Sequence, residues 1–206
     1  MDFILASASP ARLAVLRAAG IEPVVRVSGV DEDAVAAGLT DATPEQLVLA
    51  LARAKADAVA EAVATSHPDA VVVGCDSMLS FDGEVLGKPG TPEVARERWL
   101  RMRGGTGELL TGHVAVRIDG GVRTKDAGAT ETTLVRFAAP SEREIDTYLA
   151  TGEPLAVAGG FTLDGLGGWF VEGIDGDPSS VIGISLPLTR TLLSDIDVSV
   201  VDLWSR

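Results

Sequence analysis

The sequence predicts a mixed α/β fold, a sheet of parallel and antiparallel strands with helices packed on it. Three observations carry this expectation. A short apolar run followed at once by a helix start opens the chain, as a βα unit does. Two long strand-like stretches, 109–118 and 122–137, meet at Asp119-Gly120-Gly121 and read as a hairpin. Helix-start signals recur between the apolar runs rather than clustering at one end. Long hairpins beside isolated βα units exclude a purely parallel sheet.

Each element has its own signal. Ile4-Leu5 reads as the end of the first strand. Ser9 can cap a helix with its hydroxyl, Pro10 suits the first helical position, and Leu13, Leu16 and Arg17 follow at helical spacing up to Gly20. Thr43, Pro44 and Gln46 form a capping box for a helix running to about Thr65. Val71-Val72-Val73 is a continuous apolar run of the kind buried on both faces, and Ser80 to Leu86 reads as a hairpin around Asp82-Gly83. A helix starts at Thr91-Pro92 and should stop at Gly104, and Ser141 with Glu144 opens another that ends near Gly152. A glycine-rich stretch, Gly159 to Gly168, then leads to a strand near Trp169 to Ile174. An Asp-Gly-Asp-Pro turn, a helix near Leu188 to Ser194 and a last strand to Leu203 complete the chain. No repeat, linker or low-complexity tract interrupts it, so residues 1–206 read as a single domain.

Composition narrows the function classes. With 206 residues, 46% of them hydrophobic, the chain can bury a sizeable core. A net charge of −13 excludes a coat for nucleic acid and binding to an anionic membrane surface, both of which need a basic face. It does not exclude nucleotides, because a local basic cluster can hold a phosphate chain inside an acidic protein. The single Cys75 agrees with a reducing compartment. No basic leader with a long apolar run stands at the start, and no stretch of about 18 apolar residues occurs, so a cytoplasmic protein is expected.

Several polar residues fall where a structural reading is uncomfortable. Ser7, Ser9 and Arg12 gather two hydroxyls and a guanidinium at a helix N-terminus, where free N–H groups and the helix dipole suit a polyanion; an ordinary capped helix with a surface arginine is the alternative. Lys55 lies in register with Leu47, Leu51, Ala58 and Ala62 on an apolar stripe, costly unless it meets an anion or snorkels out. Asp76 follows an apolar run and should emerge at the carboxyl end of a central strand, where α/β proteins bind ligands; otherwise it forms a turn or cap. Lys88, pinned between Gly87 and Pro89, and Glu32, within the acidic run Asp31-Glu32-Asp33, each read alone as solvated loop residues. His67 reads as a solvated helix-end residue, His113 has no second histidine at zinc-ligand spacing, and Cys75 reads as a small buried hydrophobe. Trp169 and Phe170 pack on a sheet, serve a dimer or cover a base.

Together these motifs resemble one family. Leu5-Ala6-Ser7-Ala8-Ser9-Pro10 with Arg12, Asp31-Glu32, Leu51-Ala52-Arg53-Ala54-Lys55-Ala56, Gly74-Cys75-Asp76-Ser77, Leu86-Gly87-Lys88-Pro89 and Leu110-Thr111-Gly112 are similar, in order and spacing, to the Maf family of nucleotide pyrophosphatases, first associated with septum formation. The likeness continues through Tyr148 to Pro154, Ala158-Gly159 and Gly173 to Pro178 as far as Leu186-Pro187.

The resemblance implies a mixed α/β fold like that of inosine triphosphate pyrophosphatases, two lobes around a cleft, and a homodimer. It implies hydrolysis of a nucleoside triphosphate, ordinary or modified, to the monophosphate and pyrophosphate, in a housecleaning or division-linked role. Arg12, Lys55 and Lys88 would neutralise the phosphate chain, and Ser7 and Ser9 would hold its oxygens. Glu32 and Asp76 would hold Mg²⁺ or Mn²⁺, ions suited to hard oxygen ligands, with Asp76 also the base that activates water. The rivals are a nucleotidyltransferase, disfavoured because Ala6 to Pro10 lacks glycine, and a non-catalytic nucleotide-binding regulator of septation.

The chain also departs from the pattern. Ala11 stands where many members have a further arginine. Ala156-Val157 replaces an Asp-Lys pair of members that prefer thymidine and uridine triphosphates, and Asp164 replaces their glutamine. A carboxylate only accepts hydrogen bonds, so Asp164 either recognises a donor-rich base edge, as on a 7-methylated guanine or a cytosine, or shapes a turn.

Overall fold

A computed structural model describes residues 1–205. Seven strands, β1 Asp2–Leu5, β2 Val24–Val25, β3 Asp69–Phe81, β4 Glu84–Leu86, β5 Thr106–Asp119, β6 Val122–Phe137 and β7 Val171–Asp175, form one mixed sheet in the order β2-β1-β3-β5-β6-β7, with β4 paired to β3. Seven helices accompany them: α1 Pro10–Ala18, α2 Glu32–Ala37, α3 Pro44–Val63, α4 Pro92–Met102, α5 Glu142–Ala150, α6 Pro178–Ile182 and α7 Leu186–Asp195. None of these is long and apolar enough to cross a membrane.

The chain divides into two compact units. The first holds Met1–Asp76, Thr111–Glu131 and the segment from Gly183. Here β1 pairs in parallel with β2 and with β3, Phe3 opposite Val71 and Leu5 opposite Val73. Alternate residues feed opposite cores: Phe3, Leu5, Val71 and Val73 meet Leu16 and Leu192, while Ile4, Ala6 and Val72 meet Ala52, Ala56 and Val59 of α3. Burial on both faces is why Val71-Val72-Val73 shows no polar alternation.

The second unit holds Ser77–Leu110 and Thr132–Ile182. Its strands are antiparallel, β3 with β4 and β6 with β7. Asp82 and Gly83, both at positive φ, make the β3–β4 turn. Trp99 centres an aromatic cluster with Phe137, Tyr148 and Phe170, each ring centroid 5.8 Å away, and its indole N–H donates to the Gly160 carbonyl at 2.8 Å.

The helix caps stand where the sequence places them, at Ser9, Thr43, Thr91 and Ser141, the second and fourth as capping boxes. Five expectations are corrected. β3 continues to Phe81, so Asp76 lies within a strand rather than at its end; what does stop nearby is the parallel ladder with β1, last paired at Leu5 and Val73. The acidic run is not a loop: Asp31 caps α2 and Glu32 is its first residue. The expected strand to Leu203 is a 3-10 turn, Val200–Leu203, whose Leu203 is buried. Trp169 lies in the 3-10 turn Leu166–Phe170, 84% exposed, and packs on no sheet. His67 pairs with Asp2 at 2.7 Å rather than being merely solvated.

Candidate active site

Lys55 reaches the site because two strands lack side chains beneath α3. A Cβ at Gly74 of β3 would lie against the Ala52 carbonyl and 2.8 Å from the Ala56 nitrogen, and one at Gly112 of β5 against the Val48 carbonyl and 2.6 Å from the Leu49 nitrogen. The helix backbone therefore sits on the sheet, and Lys55 projects from its buried stripe beside Ala52 and Ala56. Its ammonium has met carboxylates. Lys55 Nζ lies 2.6 Å from Asp76 Oδ1 and 2.7 Å from Glu32 Oε1. The Lys55 and Asp76 side chains are almost fully buried, and that of Glu32 is half exposed.

Asp76 is the unusual member. Its second oxygen, Oδ2, is buried and has no hydrogen-bond partner. Burial holds the Asp76 carboxyl above the usual aspartate range; the charge and hydrogen bond of Lys55, then the charge of Arg12, oppose this only in part. The adjacent Cys75 thiol is pushed up to about 11 by burial, which leaves it inert as a nucleophile.

Arg12 converges on the same segment. Its Nη1 donates to the Cys75 carbonyl at 2.8 Å and to Ser7 Oγ at 2.9 Å, and its Nε to the Gly183 carbonyl at 2.7 Å. Ser9 Oγ accepts the Arg12 backbone N–H, and Ser7 Oγ accepts that of Ser9. Ser7, Ser9, Arg12, Glu32, Lys55 and Asp76 thus form one connected group within the first unit.

Lys88 and Asp164 lie in the second unit, both exposed. The Lys88 loop is tied down by its neighbour: the Gly87 carbonyl accepts from Arg98 Nη1 at 2.7 Å and from the Gly159 N–H. Asp164 rides on a turn built around a residue that the sequence reading passed over. Glu153 accepts from the Tyr148 hydroxyl at 3.0 Å, from the Thr162 hydroxyl, and from the N–H groups of Leu166 and Gly167. These bonds to Thr162, Leu166 and Gly167 outweigh burial and hold its carboxyl below the usual range. Its sequence signal was its place in the Tyr148 to Pro154 stretch that carries the family likeness, with no role attached to it.

Asp76 and Glu32 are the carboxylates available to a cation. No group of three or more His, Cys, Asp or Glu side chains able to hold one occurs among the described residues. Two hard carboxylates, one with an orphaned buried oxygen, are donors of the kind that divalent ions such as Mg²⁺ take.

Residues 2–196 match the family model described as Maf-like protein. The chain is 69% identical over 205 residues to the nucleoside triphosphate pyrophosphatase of Saccharopolyspora erythraea, covering 99% of this chain and 97% of that protein. It is 62% identical over 206 residues to the protein of the same name from Rhodococcus opacus, covering 99% and 96%. Among solved structures, a nucleoside-triphosphatase / dITP/XTP pyrophosphatase from Mycobacterium abscessus is similar at a TM-score of 0.32 and 16% identity, over 68% of this chain and 76% of that one.

Proposed function

The chain belongs to the Maf-like protein family, and on that premise we propose how it acts as a nucleoside triphosphate pyrophosphatase. The reaction adds water across a phosphoanhydride: the water oxygen bonds to phosphorus, the bridging P–O bond breaks, and monophosphate and pyrophosphate leave. The observation that carries the reading is the Asp76 carboxyl group, paired with Lys55 at Oδ1 and unpartnered at Oδ2. Oδ2 accepts the proton of the attacking water, which is general-base catalysis. Lys55 favours the charged form of that carboxylate against burial, and Glu32 is the second carboxylate at the Lys55 ammonium.

Ser7 Oγ already accepts from Arg12 and Ser9, so its O–H is left to donate to a phosphate oxygen. Ser9 has the same freedom. Arg12 and Lys88 neutralise the phosphate chain. Glu32 and Asp76 would hold Mg²⁺ or Mn²⁺, which would add to this charge neutralisation at the phosphate oxygens.

Base choice falls to Asp164, held on the Glu153 turn. An acceptor-only side chain favours donor-rich edges, a 7-methylated guanine or a cytosine, over thymine. The reading extends to a cytoplasmic homodimer, supported by the family resemblance and the lone, reduced cysteine.

Incubation with a nucleotide panel, with Mg²⁺ or with chelator, tests the proposal. Monophosphate and pyrophosphate in equal amounts, lost on chelation, are expected. Binding without turnover would instead indicate a sensor, and a requirement for a sugar phosphate a transferase. Asp164→Gln should move preference toward uracil and thymine by about tenfold, well inside what hydrogen-bonded base selection can give. An unchanged ranking makes Asp164 a turn residue.

A further inference from the structure

His113 plays no part in the chemistry above, yet it is fully buried and both ring nitrogens are engaged. Nδ1 lies 2.9 Å from the Thr111 carbonyl, which can only accept, so Nδ1 carries the proton. Nε2 lies 2.8 Å from the Ser185 backbone N–H, which can only donate, so Nε2 is bare. The ring is therefore neutral and in one tautomer.

The Ser185 bond matters because of what else that segment holds. Ser185 caps α7 with its hydroxyl, accepting the Leu188 N–H at 3.1 Å. Two residues earlier, the Gly183 carbonyl receives Arg12 Nε, and a Cβ at Gly183 would stand 3.2 Å from Arg12 Cγ. Arg12 then reaches the Cys75 carbonyl, next to Asp76. Two hydrogen bonds, joined by the backbone of residues 183–185, thus link His113 of β5 to the guanidinium.

We propose that His113 is a positioning residue: by accepting the Ser185 N–H it fixes the Gly183 carbonyl and, through it, aims the Arg12 guanidinium at the substrate phosphates. The inference rests on the phosphate-neutralising role of Arg12 given above.

Two substitutions of similar polarity separate its parts. His113→Gln places an acceptor where Nε2 stands, whereas His113→Asn reaches only the Nδ1 position and strands the Ser185 N–H. With thermal melts to compare folding, His113→Asn should lower kcat/KM for nucleoside triphosphate hydrolysis by about tenfold or more, and His113→Gln should stay within about threefold of wild type, sizes in keeping with a misaimed catalytic group. In an Arg12→Gln background the two should become indistinguishable, because the pathway they affect is gone.

Equal kcat/KM for the two variants, with Arg12→Gln impaired, overturns the positioning role alone; so does an Asn–Gln difference that persists without Arg12. Wild-type kcat/KM for Arg12→Gln overturns the phosphate role of Arg12 and this inference with it. Nitrogen NMR of the wild-type imidazole gives a readout independent of any variant's folding: a neutral ring protonated at Nδ1 is expected, and a ring protonated at Nε2 at neutral pH overturns the proposal.

Discussion

At Asp76, burial and ion pairing pull one proton in opposite directions, and burial wins. Asp76→Asn should cut turnover by about 10²- to 10⁴-fold, the usual cost of losing a general base. Wild-type kcat/KM should fall on the acid side with a midpoint above the usual aspartate value; a midpoint at or below that value would remove Asp76 from the role. The same shift acts on stability. A folded-state pKa raised above the unfolded one means the folded protein binds the extra proton between the two values, so this group's contribution to stability falls as pH rises through that window. Melting temperatures followed against pH should show the wild-type curve losing ground to Asp76→Asn across the window and running parallel to it below. Lys55 gives a second test. On sequence alone Lys55→Met enters an apolar stripe at no cost, but the structure pairs it with Asp76 and Glu32. Removing one partner of a buried ion pair commonly costs about 3 kcal/mol, a loss limited here because Asp76 can take up a proton. Urea titration should therefore find Lys55→Met less stable than wild type; equal stability would mean the ion pair is not formed in solution.

The elements show which signals are local. Capping residues announce themselves because a hydroxyl or carboxylate three residues from the N–H it satisfies needs nothing else in the protein. That is why Ser9, Thr43, Thr91 and Ser141 were legible. β2, only two residues long, was not, since it exists by pairing with β1, a stretch distant from it in sequence. The run Val198-Ser199-Val200-Val201 misled in the other direction: it has strand composition but no strand to pair with, and Leu203 is instead anchored in the first unit's core. The closest dependence of site on element is the seat of α3. Gly74→Ala should push the helix off β3, costing about 1–3 kcal/mol by overpacking and depressing turnover as Lys55 moves from Asp76. A variant matching wild type in both urea midpoint and kcat/KM would show that the close seat is not what delivers Lys55.

For the whole molecule, three strands, β3, β5 and β6, each contribute residues to both compact units. We propose that residues 1–206 behave as a single domain for this reason, since neither unit can lose these strands while the other keeps them. In urea, far-ultraviolet circular dichroism and tryptophan fluorescence should report one coincident transition, with Trp99 reporting from the second unit and Trp204 from the first. Two separated midpoints would contradict it.

The sequence by itself determined the mixed α/β class, the capped helices, the main hairpins and the identity of Ser7, Arg12, Lys55 and Asp76 as residues out of keeping with their surroundings. Each of those follows from spacing within a few residues or from a polar group set in an apolar run. Only the tertiary structure decided that Lys55 has Asp76 and Glu32 as partners, that Asp76 keeps one carboxylate oxygen unpaired, that Glu153 builds the turn carrying Asp164, and that His113 reaches Arg12 through the 183–185 segment. Residues 55 and 76, or 113 and 185, are brought within 3 Å only by packing helix on sheet, and whether a buried polar atom finds a partner is a property of that packing, not of the residue.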